Sequence, residues 1–227
     1  MPDIKDHKRI NDILLGPLER PALKWLAGHM PTWMTPDILT GIGLFGAILI
    51  ASSYALSRVD RNFLWLASLG FIINWFGDSL DGTLARYRHI ERPIFGFFLD
   101  HVVDAFSEMI IFLGLGLTYY VNFKIASMAL IFYLLISLVV LAQTSVTGVF
   151  KISYSKLGPT EIRVLAILLN TWMYFGGESN LSLNLGSMGV LQFSVYDVVV
   201  GFIALLLLYF FLSTSIQQIK ELQHADD

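Results

Sequence analysis

Four aspartates at helical spacings stand beside long apolar runs. They are Asp78 and Asp81, then Asp100 and Asp104. At the centre of a bilayer each carboxylate costs ~2.5–3.5 kcal/mol on insertion scales, so four would cost roughly 10–14 kcal/mol there and less near the interface. Something must neutralise them. Hard oxygen ligands of this kind suit Mg²⁺ or Mn²⁺ rather than zinc. On a helix Asp78, Asp81, Gly82 and Ala85 share one face, and Gly96, Asp100 and Asp104 share a face of the next helix. The short connection makes these helices antiparallel neighbours, so the four carboxylates can converge. Gly82, Ala85 and Gly96 remove bulk beside them. That leaves room for a ligand the size of a nucleotide diphosphate, and Arg86 is placed to pair with its phosphate.

The residues alone leave other uses open. The aspartates could form a cation pathway or a proton relay, as in a transporter. They could serve a metal-binding membrane scaffold without turnover, or be satisfied as ion pairs by Arg86, Arg88 and Arg92.

The elements that must position these groups are membrane helices. Of 227 residues, 55% are hydrophobic and 15% charged, against about 25% charged in a soluble domain. The absence of cysteine excludes disulfides, thiolate metal sites and cysteine nucleophiles. The net charge of −3 points to no nucleic-acid partner. The first 28 residues are charged and broken by Pro17 and Pro21, so no cleavable signal peptide is expected.

The expected fold is an all-α integral membrane protein with six transmembrane helices, Ile38–Leu56, Phe63–Leu84, Ile94–Tyr119, Ile125–Phe150, Glu161–Phe175 and Val195–Leu212. Ahead of them, Leu14, Leu15, Leu18, Leu23, Trp25 and Leu26 alternate with Lys8, Arg9, Arg20 and Lys24, the pattern of an amphipathic helix lying in the interface. Residues 1–227 read as a single domain, with 1–35 the interfacial segment and 36–227 the six-helix core. Gly41, Gly43 and Gly46 of the first span are expected to permit close helix packing. Twelve Lys and Arg fall on one side of this arrangement and three on the other. The positive-inside rule then puts both termini and the aspartates at the cytoplasmic surface.

The pattern Asp78-x2-Asp81-Gly82-x2-Ala85-Arg86-x9-Gly96-x3-Asp100-x3-Asp104 resembles the signature of the CDP-alcohol phosphotransferases. The resemblance implies six core helices, often in a homodimer. It implies attack by an acceptor hydroxyl on a CDP-linked donor with release of CMP, at two divalent ions (Mg²⁺ or Mn²⁺) held by Asp78, Asp81, Asp100 and Asp104. Gly82, Ala85 and Arg86, with Asp78, would line the nucleotide site, and in many members the last aspartate, here Asp104, is the proposed base.

Three segments resemble the choline and ethanolamine phosphotransferase branch. Trp25–Thr40 is similar to its lead-in to the first core helix, although Asp37 stands where an asparagine that contacts the nucleotide is usual. His101 follows the third aspartate, and Gly158-Pro159-Thr160-Glu161 opens the fifth span. By this resemblance His101 is the base that takes the acceptor's proton and Glu161 raises its basicity. The implied reaction transfers a phosphoalcohol from CDP-choline or CDP-ethanolamine to diacylglycerol.

Two features depart from that branch. The chain is much shorter than its eukaryotic members, and the connection Tyr87–Phe95 is nine residues where eight is usual. The six-span size resembles prokaryotic enzymes that use CDP-diacylglycerol and a polar alcohol or alcohol phosphate, and it favours a bacterial inner membrane over the endoplasmic reticulum. Lys151, Lys156 and Arg163 could supply a basic pocket for a phosphorylated acceptor. Glu108 extends the stripe of Gly96, Asp100 and Asp104 deeper, where it could touch the acceptor or bond Gln143, Thr144 or Asn170.

Overall fold

The computed structural model describes residues 8–10, 14–147, 149–151, 158–184 and 190–223. It contains seven α-helices among the described residues. They are α1 (Gly16–His29), α2 (Pro36–Leu56), α3 (Phe63–Arg88), α4 (Pro93–Gly116), α5 (Phe123–Thr147), α6 (Pro159–Gly176) and α7 (Val195–Gln223). Short strands complete it. β1 (Lys8–Ile10) pairs in parallel with β2 (Val149–Lys151), and β3 (Asn180–Asn184) pairs antiparallel with β4 (Val190–Ser194) in the loop before α7.

Local sequence sets the helix ends. Thr35 accepts a hydrogen bond from the Ile38 amide, and Pro36 occupies the first turn of α2, where its missing N–H is no loss. α3 ends at His89, which takes a left-handed backbone at φ 57°. Pro93 then opens α4. Four helices, α2, α3, α5 and α7, are long and apolar enough to cross a membrane. The other two of the six expected spans form helices that do not meet that standard. Every 18-residue window of α4 contains Asp100, Asp104 and Glu108, and the 18-residue α6 carries Glu161, Arg163 and Asn170. α7 runs eleven residues past the expected end at Leu212.

The pair α2–α3 is joined through its main chains. A Cβ added at Gly46 would stand 2.5 Å from the Asn74 nitrogen, and one at Gly77 would collide with the backbone of Gly43 and Leu39. Small residues let two helices approach this closely. Gly41, expected to share this role, has open space around it. α4 closes against the other flank of α2, where a Cβ on Gly114 would meet the Ala51 Cα at 2.8 Å.

Two apolar clusters hold the bundle. The larger gathers Ile50, Tyr54, Leu64, Phe71, Leu115, Met173 and Tyr196 from α2, α3, α4, α6 and α7. The smaller gathers Leu23 and Ala27 of α1 with Leu39, Leu80 and Leu84. α1 is therefore packed on α3 along one side, while Leu14 just before it and Leu18 and Trp25 within it stay exposed. Glu19 fastens it further by accepting from Trp75 Nε1 at 2.8 Å and from Thr160 Oγ1 at 2.6 Å.

Candidate metal centre and its cavity

Asp78, Asp100 and Asp104 converge as the sequence spacing requires. Each offers a carboxylate oxygen within 4.8 Å of the others. Two oxygens on opposite sides of one Mg²⁺ stand about 4.2 Å apart, so the set matches a hard cation after a small side-chain adjustment. The three residues line a cleft of about 10 Å³ with Thr40, Gly43, Asn74 and Ser107, room for one ion or one water.

Asp81 lies within Coulombic range of Asp78 and Asp100, but its carboxylate is engaged elsewhere. It accepts from Thr40 Oγ1 at 2.6 Å and from the Gly82 amide at 2.5 Å. It flanks the three-carboxylate group without being part of it.

Arg163 of α6 enters from the opposite side. Its Nη2 donates to Asp78 Oδ2 at 2.5 Å and its Nε to Asn74 Oδ1 at 2.8 Å. Asn74 in turn donates to the Gly43 carbonyl at 3.0 Å. The cluster thus rests on α2, α3, α4 and α6. Of the basic residues expected to form an acceptor pocket, Arg163 reaches the site. Lys156 lies outside the described residues, as does the side chain of Lys151.

The remaining expected positions fall around the mouth. Arg86 lies over Gly82, where an added Cβ would sit 3.3 Å from its Nη1, and it donates to Thr83 Oγ1 at 3.3 Å. Gly96 has open space beside it, and Ala85 is half-buried one turn from Asp81. Asp37, at the start of α2, forms an ion pair with Arg92 just ahead of α4. Arg88 binds the carbonyls of Met30, Pro31 and Met34, fastening the end of α3 to the α1–α2 connection.

His101 is half-buried on α4. Its Nδ1 is 2.7 Å from the Phe97 carbonyl and its ring lies 4.3 Å from that of Phe97. A carbonyl only accepts, so Nδ1 carries the proton of this bond and Nε2 is the basic nitrogen of the neutral ring. Glu161, expected beside His101, is buried and bound by two backbone amides. Oε1 accepts from Leu15 at 2.7 Å and Oε2 from Gly158 at 2.9 Å. It caps α6 and ties that helix to the start of α1, the favourable place for an acid in a first turn.

Next to the carboxylates the helices line a partly open cavity of about 340 Å³. Its wall is mainly apolar, from Phe71, Ile111, Leu169, Val200 and similar residues of α3, α4, α6 and α7. Its polar end is formed by Asn74, Asp104, Ser107, Glu108, Tyr133 and Arg163. Glu108 and Tyr133 both stand on this lining. Two of the three partners expected for Glu108 are bonded to other groups. Asn170 is bonded to Tyr54 and Ser68, and Thr144 to the Val140 carbonyl.

Thr40, Asn74, Ser107 and Tyr133 were not among the expected site residues. Asn74 lies one turn before Asp78 and Ser107 one turn after Asp104, so lengthening each acidic stripe would have found both. Thr40 and Tyr133 come from other helices, and the motif gives no spacing that points to them.

The family profile of the CDP-alcohol phosphatidyltransferases matches residues 33–213. The chain belongs to the CDP-alcohol phosphatidyltransferase family. The matched span includes every aspartate of the cluster and Arg163. Family membership and the four long apolar helices make this phosphatidyltransferase-family chain an integral membrane protein.

Two kinds of curated relative are similar to it. A phosphatidylinositol phosphate synthase of Cutibacterium acnes is 38% identical over 86 residues, covering 37% of this chain and 38% of that protein. Cholinephosphotransferase 1 of Bos taurus is 28% identical over 165 residues, covering 68% of this chain and 39% of that protein. Its counterpart in Danio rerio is 28% identical over 201 residues, 82% of this chain and 51% of that protein. The chain thus spans about half or less of the length of these relatives.

Proposed function

We propose that this protein is a metal-dependent phosphotransferase of phospholipid synthesis. It moves a phosphoalcohol group from a CDP-linked donor of the CDP-choline or CDP-ethanolamine type to the hydroxyl of diacylglycerol, releasing CMP. The observation that carries this reading is the junction of the carboxylate cluster with a mainly apolar cavity at Asn74, Asp104 and Ser107. A charged donor can lie at the acidic cleft while an apolar acceptor presents its hydroxyl from the cavity.

Asp78, Asp100 and Asp104 would hold the divalent ions, Mg²⁺ or Mn²⁺ and two in number by family resemblance, with Asp81 turned in from Thr40. Bound ions of this kind stabilise charge on the diphosphate and on the departing phosphate. Gly82, Ala85 and Arg86 border the nucleotide, with Asp37 and Arg92 at the mouth. The acceptor oxygen attacks the phosphorus that bears the donor's alcohol, the bond to CMP breaks, and the acceptor's proton passes to Nε2 of His101 or to Asp104. His101 fits the base role because Phe97 fixes its tautomer. Glu161 was expected as its partner. With both oxygens on amides, its contribution in this reading is to fix the start of α6 and so the position of Arg163.

The domain reading stays with one unit, in which exposed Leu14, Leu18 and Trp25 rest at the membrane surface and the six helices from α2 to α7 form the core. Both termini and the cleft face the cytoplasm by the charge bias, in a bacterial inner membrane. The active form is a homodimer by resemblance.

The similarity to a phosphatidylinositol phosphate synthase favours a second reading with the same site. CDP-diacylglycerol would then be the donor and a polar alcohol or alcohol phosphate the acceptor. CMP release from purified protein with Mg²⁺ separates the two. Turnover of CDP-choline or CDP-ethanolamine only with diacylglycerol supports the first, and turnover of CDP-diacylglycerol with a polar acceptor supports the second. No CMP with any pair, together with cation flux in proteoliposomes, would overturn both in favour of a transporter.

A further inference from the structure

Three carboxylates within 4.8 Å of one another repel strongly. Among the described residues, Arg163 is the cation that forms an ion pair inside this group. Its side chain is only 14% exposed. It is held at two points, both on α3, by Asp78 and Asn74. Its third nitrogen, Nη1, is buried with no hydrogen-bond partner. A guanidinium serving only as a structural clamp would be expected to satisfy its whole fork, since a buried unpaired donor costs free energy. Arg163 also lines the 340 Å³ cavity, where Glu108 offers a second carboxylate within its Coulombic range. The side chain therefore has a strong partner that a metal would also claim, an unsatisfied arm, and an alternative anion nearby.

We propose that Arg163 is a built-in counter-cation of the aspartate cluster, which holds Asp78 before a divalent ion arrives and competes with that ion for the same carboxylate. This rests on reading Asp78, Asp100 and Asp104 as metal ligands. The guanidinium supplies part of the charge the cluster lacks, so the carboxylates stay gathered. An ion that takes Asp78 repels the guanidinium beside it, and Arg163 turns toward Glu108. Arg163 is thus a positioning residue that lowers metal affinity and stabilises the site without metal.

The test uses the full chain in detergent micelles with Mn²⁺ as the probe, bound ion being read from loss of the free Mn²⁺ spin-resonance signal. Arg163→Gln should bind Mn²⁺ about tenfold more tightly or better, because a neighbouring positive charge is gone. In EDTA it should unfold at a lower temperature than wild type, with the gap narrowing as Mn²⁺ is added. Arg163→Lys should stay near wild type in Mn²⁺ affinity. Asn74→Leu, which removes the second anchor and so loosens the hold of Arg163 on Asp78, provides a second test if Arg163→Gln does not fold, and it too should bind Mn²⁺ more tightly. Unchanged or weaker Mn²⁺ binding in Arg163→Gln or Asn74→Leu would overturn the proposal. If Asp100→Asn abolishes binding while the Arg163 and Asn74 variants bind like wild type, the metal reading stands and the counter-cation proposal falls. Failure of wild type to bind Mn²⁺ overturns both.

Discussion

Thr40 of α2 donates a 2.6 Å hydrogen bond to Asp81 of α3. The bond crosses the glycine-lined contact of α2 with α3 and fixes one carboxylate just outside the group formed by the other three. A hydrogen bond to a charged group contributes about 1.5–3 kcal/mol. Thr40→Val keeps the shape and removes the donor. CMP release should fall about 10- to 100-fold, with the Mg²⁺ concentration for half-maximal rate displaced, and stability in detergent should drop by no more than about 1.5–3 kcal/mol.

The carboxylates themselves should tolerate no loss. Asp78→Asn, Asp100→Asn and Asp104→Asn should each lower turnover by at least about 10³-fold, since each removes a hard ligand from the charge-stabilising centre. EDTA should abolish CMP release by the wild-type protein, and added Mg²⁺ or Mn²⁺ should restore it. Activity that survives exhaustive chelation would remove the metal from the reaction.

His101→Ala separates the two candidate bases. Loss of a general base is expected to lower kcat by about 10²–10⁴, with little change in Mn²⁺ binding because His101 is not a ligand in this reading. Near-normal turnover would return the role to Asp104.

Glu161 should behave as a cap. Glu161→Ala removes acceptors from the amides of Leu15 and Gly158, and its thermal stability should drop by about 1–3 kcal/mol. Glu161→Gln keeps one carbonyl acceptor and should fall in between. A residue acting mainly on His101 would instead alter the pH profile of turnover in Glu161→Gln while leaving its unfolding temperature in place.

At Gly77 an added side chain would enter the backbone of Gly43 and Leu39. Gly77→Leu should destabilise by about 1–3 kcal/mol or more, as overpacking does, and should lower activity by parting α2 from α3. Gly41→Ala, where space is open, is the matched control and should unfold like wild type. Equal effects at the two positions would contradict the packing described.

What could be read before the structure follows the range of the interactions. Asp78, Asp100 and Asp104 lie on two consecutive helices with a short connection, so helical periodicity and chain reversal suffice to bring them together. The contacts that finish the site join residues far apart in the chain. Arg163 and Asp78 are 85 positions apart, and Thr40 and Asp81 are 41. No local period encodes such pairs. Glu108 shows the same limit. Its depth follows from the stripe of α4, but the presence of Tyr133 on the same cavity wall depends on which face α5 turns inward, and α5 is apolar nearly all round. Glu161 has a use that the motif does not reveal. A first-turn acid after Gly-Pro-Thr has a local use as a cap, and the structure shows that use extended to the Leu15 amide of the preceding segment.

The α2–α3 contact has a mechanical consequence. Because main-chain atoms of Gly43, Gly46 and Gly77 meet without side chains between them, no rotamer change can alter the gap. Side chains elsewhere in the bundle can soften with temperature or with a change of surrounding lipid, while this seam has nothing to soften. The seam therefore works as a fixed gauge, and the spacing of Thr40, Asp78 and Asp81 is set by it rather than by the more compliant walls of the cavity.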